Sequence, residues 1–213
     1  CGESGSGKTT FSRLVNGLIP NYYEGTLTGK VQVEDKNPED VELHELAPYV
    51  GSVFQNPKAQ FYTLITDTEI VFACENMGMD RNEILRRFDG TVTAMHLEPL
   101  IGRNLFTLSG GEKQKIACAS VHALQPDVLV LDEPTSNLDI GTIYELENIL
   151  RLWKAQGKTV IVAEHRLDWL RLLADRVLYF KDGKIEQEFT GAAFFEKPLG
   201  DLHEMGLRGT SRF

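Results

Sequence analysis

A glycine-rich segment that ends in a lysine and two threonines constrains the fold more than any other part of the sequence. Its GxxxxGK[ST] spacing predicts a loop whose backbone N–H groups turn inward around a di- or triphosphate, while the lysine reaches the phosphates and the first threonine faces Mg²⁺. Apolar residues at helical spacing (Phe11, Leu14, Val15 and Leu18) follow the loop, so a helix dipole would favour the bound anion. The segment consists of Gly2, Glu3, Ser4, Gly5, Ser6, Gly7, Lys8, Thr9 and Thr10.

Phosphate loops of this kind follow a core strand, which indicates an α/β fold with a mostly parallel sheet. Cys1 has no strand in front of it. We therefore expect the N-terminal strands of the fold to be missing from this chain. A glycine- and serine-rich turn with a chance lysine is the alternative interpretation, and the helix behind the loop disfavours it.

Composition and charge exclude several classes of protein. The chain of 213 residues is long enough for one sizeable core. A net charge of −9 without a basic run argues against nucleic-acid binding, although nucleotide binding needs only local groups. Cys1, Cys74 and Cys118 are scattered and odd in number, which indicates a reducing compartment without a disulfide framework. No apolar run approaches the roughly 20 residues of a membrane span.

Short apolar runs bounded by turn residues predict the strands. Two of the runs are continuously apolar, which is typical of strands buried on both faces, and one alternates like an exposed edge strand. An Asp-Gly pair between two further runs predicts a hairpin. The predicted strands are Tyr49–Phe54, the two buried strands Val128–Leu131 and Thr159–Ala163, the edge strand Val31–Val33, and the hairpin strands Val177–Phe180 and Lys184–Phe189.

Helical periodicity without β-branched runs extends over residues 58–125, which we interpret as an inserted α-helical subdomain. Residues 1–57 and 126–190 would form the nucleotide-binding core on either side of it. A further amphipathic helix in the second part of the core would end at Gly157. Residues 191–213 have the polar character of a C-terminal tail.

Acidic residues and a histidine directly follow the two strands predicted to be buried. Asp132 and Glu133 follow the first strand, and Glu164 and His165 follow the second. The carboxyl ends of parallel strands are where open α/β sheets hold ligands. Asp132 would therefore hold Mg²⁺ and Glu133 would polarise an attacking water. A solvated strand cap is the alternative for the acids, and a packed imidazole is the alternative for His165.

The stretch LSGGEKQ predicts a second anion site. Ser109, Gly110 and Gly111 lead into a helix, so backbone amides and a helix dipole would meet there. The two sites could bind different nucleotides, or each could supply half of a site shared between two copies of the fold. An ordinary N-capped helix with a flexible lead-in is the alternative interpretation.

Taken in order, these motifs resemble the nucleotide-binding subunit of ABC transporters. The resemblance rests on the phosphate loop, on Gln55 within SVFQNP, on LSGGEKQ, on LVLDEPTSNLD and on His165, and it covers essentially the whole chain. VFQNPKAQFYT, LSGGEKQKIACASV, DEPTSNLD and AEHRLDWL are similar, more narrowly, to the ATPases of energy-coupling factor importers, which take up vitamins and transition-metal ions.

The resemblance implies a P-loop NTPase with a RecA-like, mostly parallel sheet, with ATP and Mg²⁺ as cofactors. It implies that residues 2–10 form the Walker A loop and that Asp132 is the Walker B aspartate beside the catalytic base Glu133. Thr9 would contact Mg²⁺. Gln55 would contact Mg²⁺ or the lytic water, and it would relay the nucleotide state to the helical subdomain.

Four further roles follow from the same resemblance. Ser109, Gly110 and Gly111 would close over the γ-phosphate in an opposing copy. Asp139 would couple the two sites, and His165 would contact the γ-phosphate while holding Glu133 and water in line.

Two departures from the family pattern have consequences. Glu112 stands where the signature most often carries glutamine, and a carboxylate near a triphosphate is electrostatically costlier, although we expect activity to be retained. The aromatic residue that stacks on adenine lies upstream of Walker A in the family, in a part that this chain lacks.

The implied partners are a second ABC ATPase domain and integral membrane transporter subunits, at the cytoplasmic face of the membrane. Phe61 and Tyr62 would line a groove for a short helix of the membrane partner, or alternatively pack inside the helical subdomain. A soluble ABC-type ATPase of repair or translation is a rival interpretation, but no long coiled coil or charged linker is visible. A regulatory half that no longer hydrolyses ATP is another, and Glu133 and His165 argue against it.

Overall fold

Two separate sheets hold the strands in the computed structural model, which describes residues 1–136 and 138–207. Asn137, in the predicted DEPTSNLD motif, and residues 208–213 lie outside the described residues. Three strands form a parallel sheet in the order β1-β2-β3, and two form an antiparallel hairpin. The strands are β1 (Val50–Val53), β2 (Val128–Asp132), β3 (Thr159–Ala163), β4 (Arg176–Lys181) and β5 (Lys184–Thr190).

Helices account for most of the remaining regular structure. The helix predicted behind the phosphate loop is present as α1, and the amphipathic helix predicted to end at Gly157 is present as α7. The helices are α1 (Lys8–Val15), α2 (Leu18–Asn21), α3 (Leu43–Leu46), α4 (Thr66–Asn76), α5 (Arg81–Met95), α6 (Gly110–Leu124), α7 (Ile140–Ala155), α8 (Gly191–Phe195) and α9 (Leu199–Glu204). Short 3₁₀ turns cover Pro57–Gln60, Glu98–Leu100, Leu105–Thr107 and Asp168–Leu170.

The predicted hairpin is confirmed at its turn. Asp182 and Gly183 connect β4 to β5 with φ angles of 48° and 75°. Two successive left-handed residues match the twist of the flanking strands, which is why Asp-Gly is favoured at this position.

The strand predicted over Val31–Val33 is wrong. Val33 instead exchanges two backbone hydrogen bonds with Lys36 across a tight turn, in which Glu34 has a φ of 54°. The turn buries Val33 in a small core beside Val15 and Leu46. A buried turn residue between polar neighbours produced the alternation that resembled a strand.

Burial of β3 also differs from the prediction, because its residues are exposed or half-buried up to the buried Ala163. β3 pairs with β2 along one edge, and its other edge faces a groove of about 540 Å³ that separates it from β4. Phe11, Leu150 and Phe194 contribute to the lining of this groove. The sequence reports the apolar character of β3, whereas its burial depends on what lies beside it.

One apolar core joins the predicted helical subdomain to the sheet. Met95 and Ile116 from the helices belong to the same buried cluster as Leu129 and Leu131 of β2 and Leu146 of α7. The division of the chain at residues 57 and 125 stays a prediction.

The C-terminal segment packs into this same core, unlike a polar tail. Phe194 of α8 and Leu202 of α9 are buried with Leu207 in the main cluster, and the Tyr179 hydroxyl donates to the carbonyl of Met205 at 2.8 Å. The charged residues after Phe195 suggested a boundary from composition alone, although residues 192–195 form a short apolar run.

Substituting Leu131 tests the central strand. Leu131 is 0% exposed, so Leu131→Ala should lower the free energy of unfolding by about 2–5 kcal/mol through lost burial and a residual cavity. Leu172→Ala is the matched control because Leu172 is 76% exposed, and it should change stability by less than about 0.5 kcal/mol. Urea unfolding of both variants gives the two values, and equal losses would contradict the assignment of β2 to the core.

Candidate functional site

The phosphate loop adopts a conformation that only glycine tolerates at several positions. Gly2, Gly5 and Gly7 have φ angles of 143°, 79° and 104°. A side chain on Gly2 would lie 2.2 Å from the carbonyl oxygen of Phe180, so the loop is pressed against β4. The absent side chains leave backbone amides available around an anion at the start of α1, which fits the predicted phosphate site.

Lys8 spans the loop from the first turn of α1. Its Nζ donates to the carbonyl oxygens of Gly2 and Glu3 at 2.9 and 2.7 Å. Burial lowers the pKa of Lys8, against the attraction of nearby carboxylates led by Glu133 and Asp132. The buried ammonium is therefore held where anionic groups converge.

Asp132 and Thr9 form the predicted pair of oxygen donors beside the loop. The Thr9 hydroxyl donates to Oδ1 of Asp132 at 3.3 Å, and burial raises the pKa of the Asp132 carboxyl. A hydroxyl and a carboxylate are ligands that Mg²⁺ accepts together with phosphate oxygens. Among the described residues there is no group of three or more His, Cys, Asp or Glu that could hold a metal ion.

Three residues predicted to be catalytic lie in one hydrogen-bonded cluster. Gln55 donates from Nε2 to Oε2 of Glu133 at 2.9 Å, and Nε2 of His165 lies 2.9 Å from the other carboxylate oxygen, Oε1. Gln55 follows β1, Glu133 follows β2 and His165 follows β3. The structure thus brings together, at one end of the parallel sheet, residues that are far apart in sequence.

The backbone of Glu133 explains how two adjacent carboxylates serve different neighbours. Its N–H donates to the carbonyl of Ala163 at 2.8 Å, and its φ of 44° turns the chain directly after β2. A left-handed residue other than glycine is a strained conformation of the kind found at functional sites. Asp132 therefore faces Thr9 while Glu133 faces Gln55 and His165.

Glu164 and Thr135 belong to the site, although the sequence predicted no role for them. Glu164 is 2% exposed and accepts a hydrogen bond from the Thr135 hydroxyl at 2.6 Å. An acid directly after an apolar strand was the available signal, and it was the same signal that identified Asp132.

The signature segment begins α6 with a reciprocal cap. Ser109 accepts a hydrogen bond from the N–H of Glu112 at 3.2 Å, and Glu112 accepts one from the N–H of Ser109 at 2.7 Å. Nη1 of Arg103 lies 2.6 Å from the second Glu112 oxygen. These bonds, led by the backbone N–H of Ser109, lower the pKa of Glu112. Glu112, which we expected to be electrostatically costly near phosphate, thus accepts hydrogen bonds from the start of its own helix and from the guanidinium of Arg103.

Gly111 and Asp139 place the signature against the start of α7. A side chain on Gly111 would lie 2.5 Å from Oγ1 of Thr142. Asp139 caps α7 by accepting from the N–H and the hydroxyl of Thr142, both at 3.0 Å. Ser109, Gly110 and Asp139 remain exposed. These contacts make the signature and the Asp139 turn one continuous surface.

The two aromatic residues after Gln55 differ in environment. Phe61 packs against the main core, whereas Tyr62 is 77% exposed and stacks on Phe72 with ring centroids 5.0 Å apart. The buried Glu69 accepts hydrogen bonds from the backbone N–H groups of Tyr62 and Thr63 at 3.1 and 2.8 Å. The packed interpretation therefore holds for Phe61, and the interface interpretation of the exposed Tyr62 stays a prediction.

Comparison with known proteins defines the class of the chain. The family described as ABC transporter matches residues 1–136. The chain belongs to this family, whose ATP-binding domains bind and hydrolyse ATP. Within the described residues, no helix combines the length and the apolar character needed to cross a bilayer.

Individual relatives are also ATP-binding proteins. A putative ABC transporter ATP-binding protein of Treponema denticola is 45% identical over 98% of this chain and 42% of its own length. One from Pyrococcus abyssi is 40% identical over 99% of this chain and 75% of its own length. The chain thus spans less than half the length of the Treponema denticola relative.

A solved structure confirms the fold. The chain is similar to cbiO1 from Clostridium perfringens, described as part of the ABC transporter complex cbiONQ, with a TM-score of 0.82 and 27% identity. The similarity covers 95% of this chain and 81% of that protein. The predicted P-loop NTPase fold of the ABC family is thereby confirmed.

Substituting Asp132 tests the electrostatic cost of the site. Because burial raises the pKa of Asp132 above its ordinary value of 3.8, the ionised carboxyl opposes folding. This opposition is absent well below pH 3.8, grows as pH rises from there towards the raised pKa, and is complete above it. Asp132→Asn keeps an oxygen that can accept from Thr9, and it should raise the thermal unfolding midpoint of nucleotide-free protein at pH 7. The gain should shrink towards pH 4, where the carboxyl is neutral in more of the molecules.

Asp89→Asn is the matched control, because Asp89 is an exposed acid on α5. Its thermal midpoint should stay close to that of the natural chain at both pH values. A lower midpoint for Asp132→Asn than for the natural chain at pH 7 would show that the ionised carboxyl stabilises the fold.

Proposed function

We propose that this chain is the ATP-hydrolysing subunit of an ABC-type importer of the energy-coupling factor kind, and that it couples ATP-driven closure of two such domains to transport by membrane subunits. The cluster of Gln55, Glu133 and His165 beside the phosphate loop is the observation that carries this proposal. Similarity to part of a transporter complex supports the importer assignment.

The proposed ATP site divides into a cradle for the phosphates and three residues that face the metal ion. Residues 2–10 would hold the phosphates of ATP through backbone amides, and Lys8 would transfer its hydrogen bonds from the loop carbonyls to phosphate oxygens. Thr9, Asp132 and Gln55 would hold Mg²⁺, which supplies charge neutralisation at the phosphates.

Hydrolysis requires a base and a group that orients it. Glu133 would accept a proton from the attacking water, because its carboxylate lies at the end of β2 between two hydrogen-bonding neighbours. His165 and Gln55 would fix the two carboxylate oxygens of Glu133, at the 2.9 Å separations described above. The arrangement orients the base before the reaction, which is a main source of rate in phosphoryl transfer.

A second copy would complete the site. The exposed amides at Ser109 and Gly110, together with Gly111, would close over the γ-phosphate held by the partner, and Asp139 would connect the two sites. Two large apolar side chains near this surface, Ile140 and Tyr144, are exposed, which supports burial against another domain. A homodimer, a heterodimer and a second ATPase domain in the same polypeptide would all form the same proposed contact.

Membrane subunits would dock beside Tyr62. The stacked rings of Tyr62 and Phe72, with the exposed Leu64, form an apolar surface on the segment that follows Gln55. Aromatic surfaces of this kind are favoured at protein interfaces. The proposed location of the chain is therefore peripheral, at the cytoplasmic face of the membrane.

Glu133→Gln tests the catalytic assignment. The amide cannot accept the proton of water, so the rate of ATP hydrolysis should fall by at least about 100-fold while ATP binding persists. ATP should then trap a dimer that is visible by size-exclusion chromatography. Glu188→Gln, on the exposed strand β5, is the matched control and should hydrolyse ATP normally. A natural protein that neither hydrolyses ATP nor dimerises would support the regulatory alternative.

Substitutions at Tyr62 and Leu64 test the docking surface. Tyr62→Ala combined with Leu64→Ala should reduce co-purification of the membrane subunits by about tenfold, as expected from losing about 1.4 kcal/mol of interface energy, while basal hydrolysis is retained. Phe61 stays unchanged because it packs against the core. Leu199→Ala, an exposed leucine on α9, is the control, and normal co-purification of the double variant would contradict the docking surface.

A further inference from the structure

Glu164 is a buried carboxylate whose two oxygens are both engaged. The Thr135 hydroxyl donates to Oε2 at 2.6 Å, and the backbone N–H groups of His165 and Arg166 donate to Oε1 at 2.7 and 3.1 Å. Thr135 is itself 0% exposed. Three donors thus converge on one side chain inside the protein.

The partners of Glu164 are neutral. Among the described residues, no lysine or arginine side chain forms a salt bridge or hydrogen bond with it. Burying a carboxylate is costly, and hydrogen bonds to it offset that cost. Lys8 is a nearby cation on which Glu164 acts through charge alone, since Glu164 is one of the carboxylates that raise the pKa of Lys8 against the effect of burial. A carboxylate can accept from several donors on both oxygens, whereas a neutral threonine or serine here could not. A glutamate at position 164 can therefore accept all three hydrogen bonds, which a threonine or a serine could not.

These connections join the two loops that carry the reacting groups. Thr135 belongs to the loop after β2, two residues beyond Glu133, and the N–H of His165 belongs to the loop after β3. Two further links between these segments are the Glu133–His165 side-chain contact and the hydrogen bond from the N–H of Glu133 to the carbonyl of Ala163. Glu164 therefore supports the backbone at His165 through a bond that is separate from the contact between the imidazole and Glu133.

We propose that Glu164 is a positioning residue, which clamps the loop after β2 to the loop after β3 and so holds His165 against Glu133 during ATP hydrolysis. This inference rests on the proposed function. Glu164 touches neither the phosphate loop through a hydrogen bond nor the carboxylate of Glu133, so it acts through Thr135 and the backbone of His165.

A double-mutant cycle in the full natural protein tests the clamp. Glu164→Ala should lower kcat for ATP hydrolysis at least about tenfold while KM for ATP stays within about twofold, because orientation is lost and the phosphate loop is intact. In a His165→Ala background, the same substitution should lower kcat by less than about twofold, since Glu164 acts through His165. Glu188→Ala, which removes an exposed acid, is the control in both backgrounds.

Two results would overturn the clamp. The first is an equal loss of kcat with His165 present and absent, which would indicate a general structural role. The second is an unchanged kcat in Glu164→Ala. If Glu164→Ala unfolds below the assay temperature, Thr135→Val takes its place in the same cycle, because it removes a single donor and keeps the shape of the side chain.

Imidazole nitrogen NMR of nucleotide-free protein tests the clamp without catalysis. Glu164→Ala should shift the ring-nitrogen resonances of His165, whereas Glu188→Ala should leave them in place. An unshifted His165 signal would overturn the clamp. A natural protein that hydrolyses no ATP would instead contradict the proposed function, and the resonances would still decide whether Glu164 orients the ring.

Discussion

The parallel pairing of β2 with β3 is the constraint on which the rest of the site depends. Its register places Asp132 opposite Ala163, and the backbone bond from Glu133 to Ala163 continues the pairing by one residue. Glu133 and His165 consequently leave the sheet side by side. A slip of one residue would send each side chain to the opposite face and separate the pair. β2 is apolar and buried along its length, so its backbone pairing with β3 is what fixes the register. The strand pairing that builds the sheet therefore also sets the positions of the candidate catalytic side chains.

Electrostatics at the site work against stability, and local hydrogen bonds offset the cost. Burial disfavours the charged forms of Lys8 and Asp132, so both are costly in the folded chain. Lys8 is compensated by two loop carbonyls and Asp132 by Thr9. Glu112, by contrast, has a lowered pKa because the cap of α6 and Arg103 favour its charge. The charged forms of Lys8 and Asp132, which face the proposed substrate, therefore cost folding free energy. The charged form of Glu112, which caps α6, is instead stabilised. This division is typical of functional sites in marginally stable proteins.

Much of this arrangement could be predicted from the sequence, because apolar runs and turn residues act locally. The runs at β2 and β3 identified the strands, and their ends identified Asp132, Glu133 and His165. Contacts between distant residues could not be predicted in the same way. Thr135 meets Glu164 across 29 residues, and the position of Arg103 beside Glu112 depends on the fold of the intervening loop. The predicted burial of β3 was wrong for a related reason, because the exposure of a strand depends on the elements that pack beside it. The turn at Val33 shows that three alternating residues are too few to distinguish a strand from a buried turn.

The groove between β3 and β4 has a consequence for how this stretch of polypeptide behaves in solution. Among the described residues, β3 pairs with another strand along one edge only. The edge of β4 that does not pair with β5 forms backbone contacts with Cys1 and Gly2 over a short distance. Unpaired strand edges act as templates for intermolecular β-pairing. At high concentration, the 213 residues in isolation should therefore self-associate through strand addition, without nucleotide. Such aggregates would have no fixed number of subunits and would not respond to ATP, which distinguishes them from the proposed ATP-dependent dimer. Solubility of this stretch is accordingly set at the sheet edge and not at the surface that the signature segment presents.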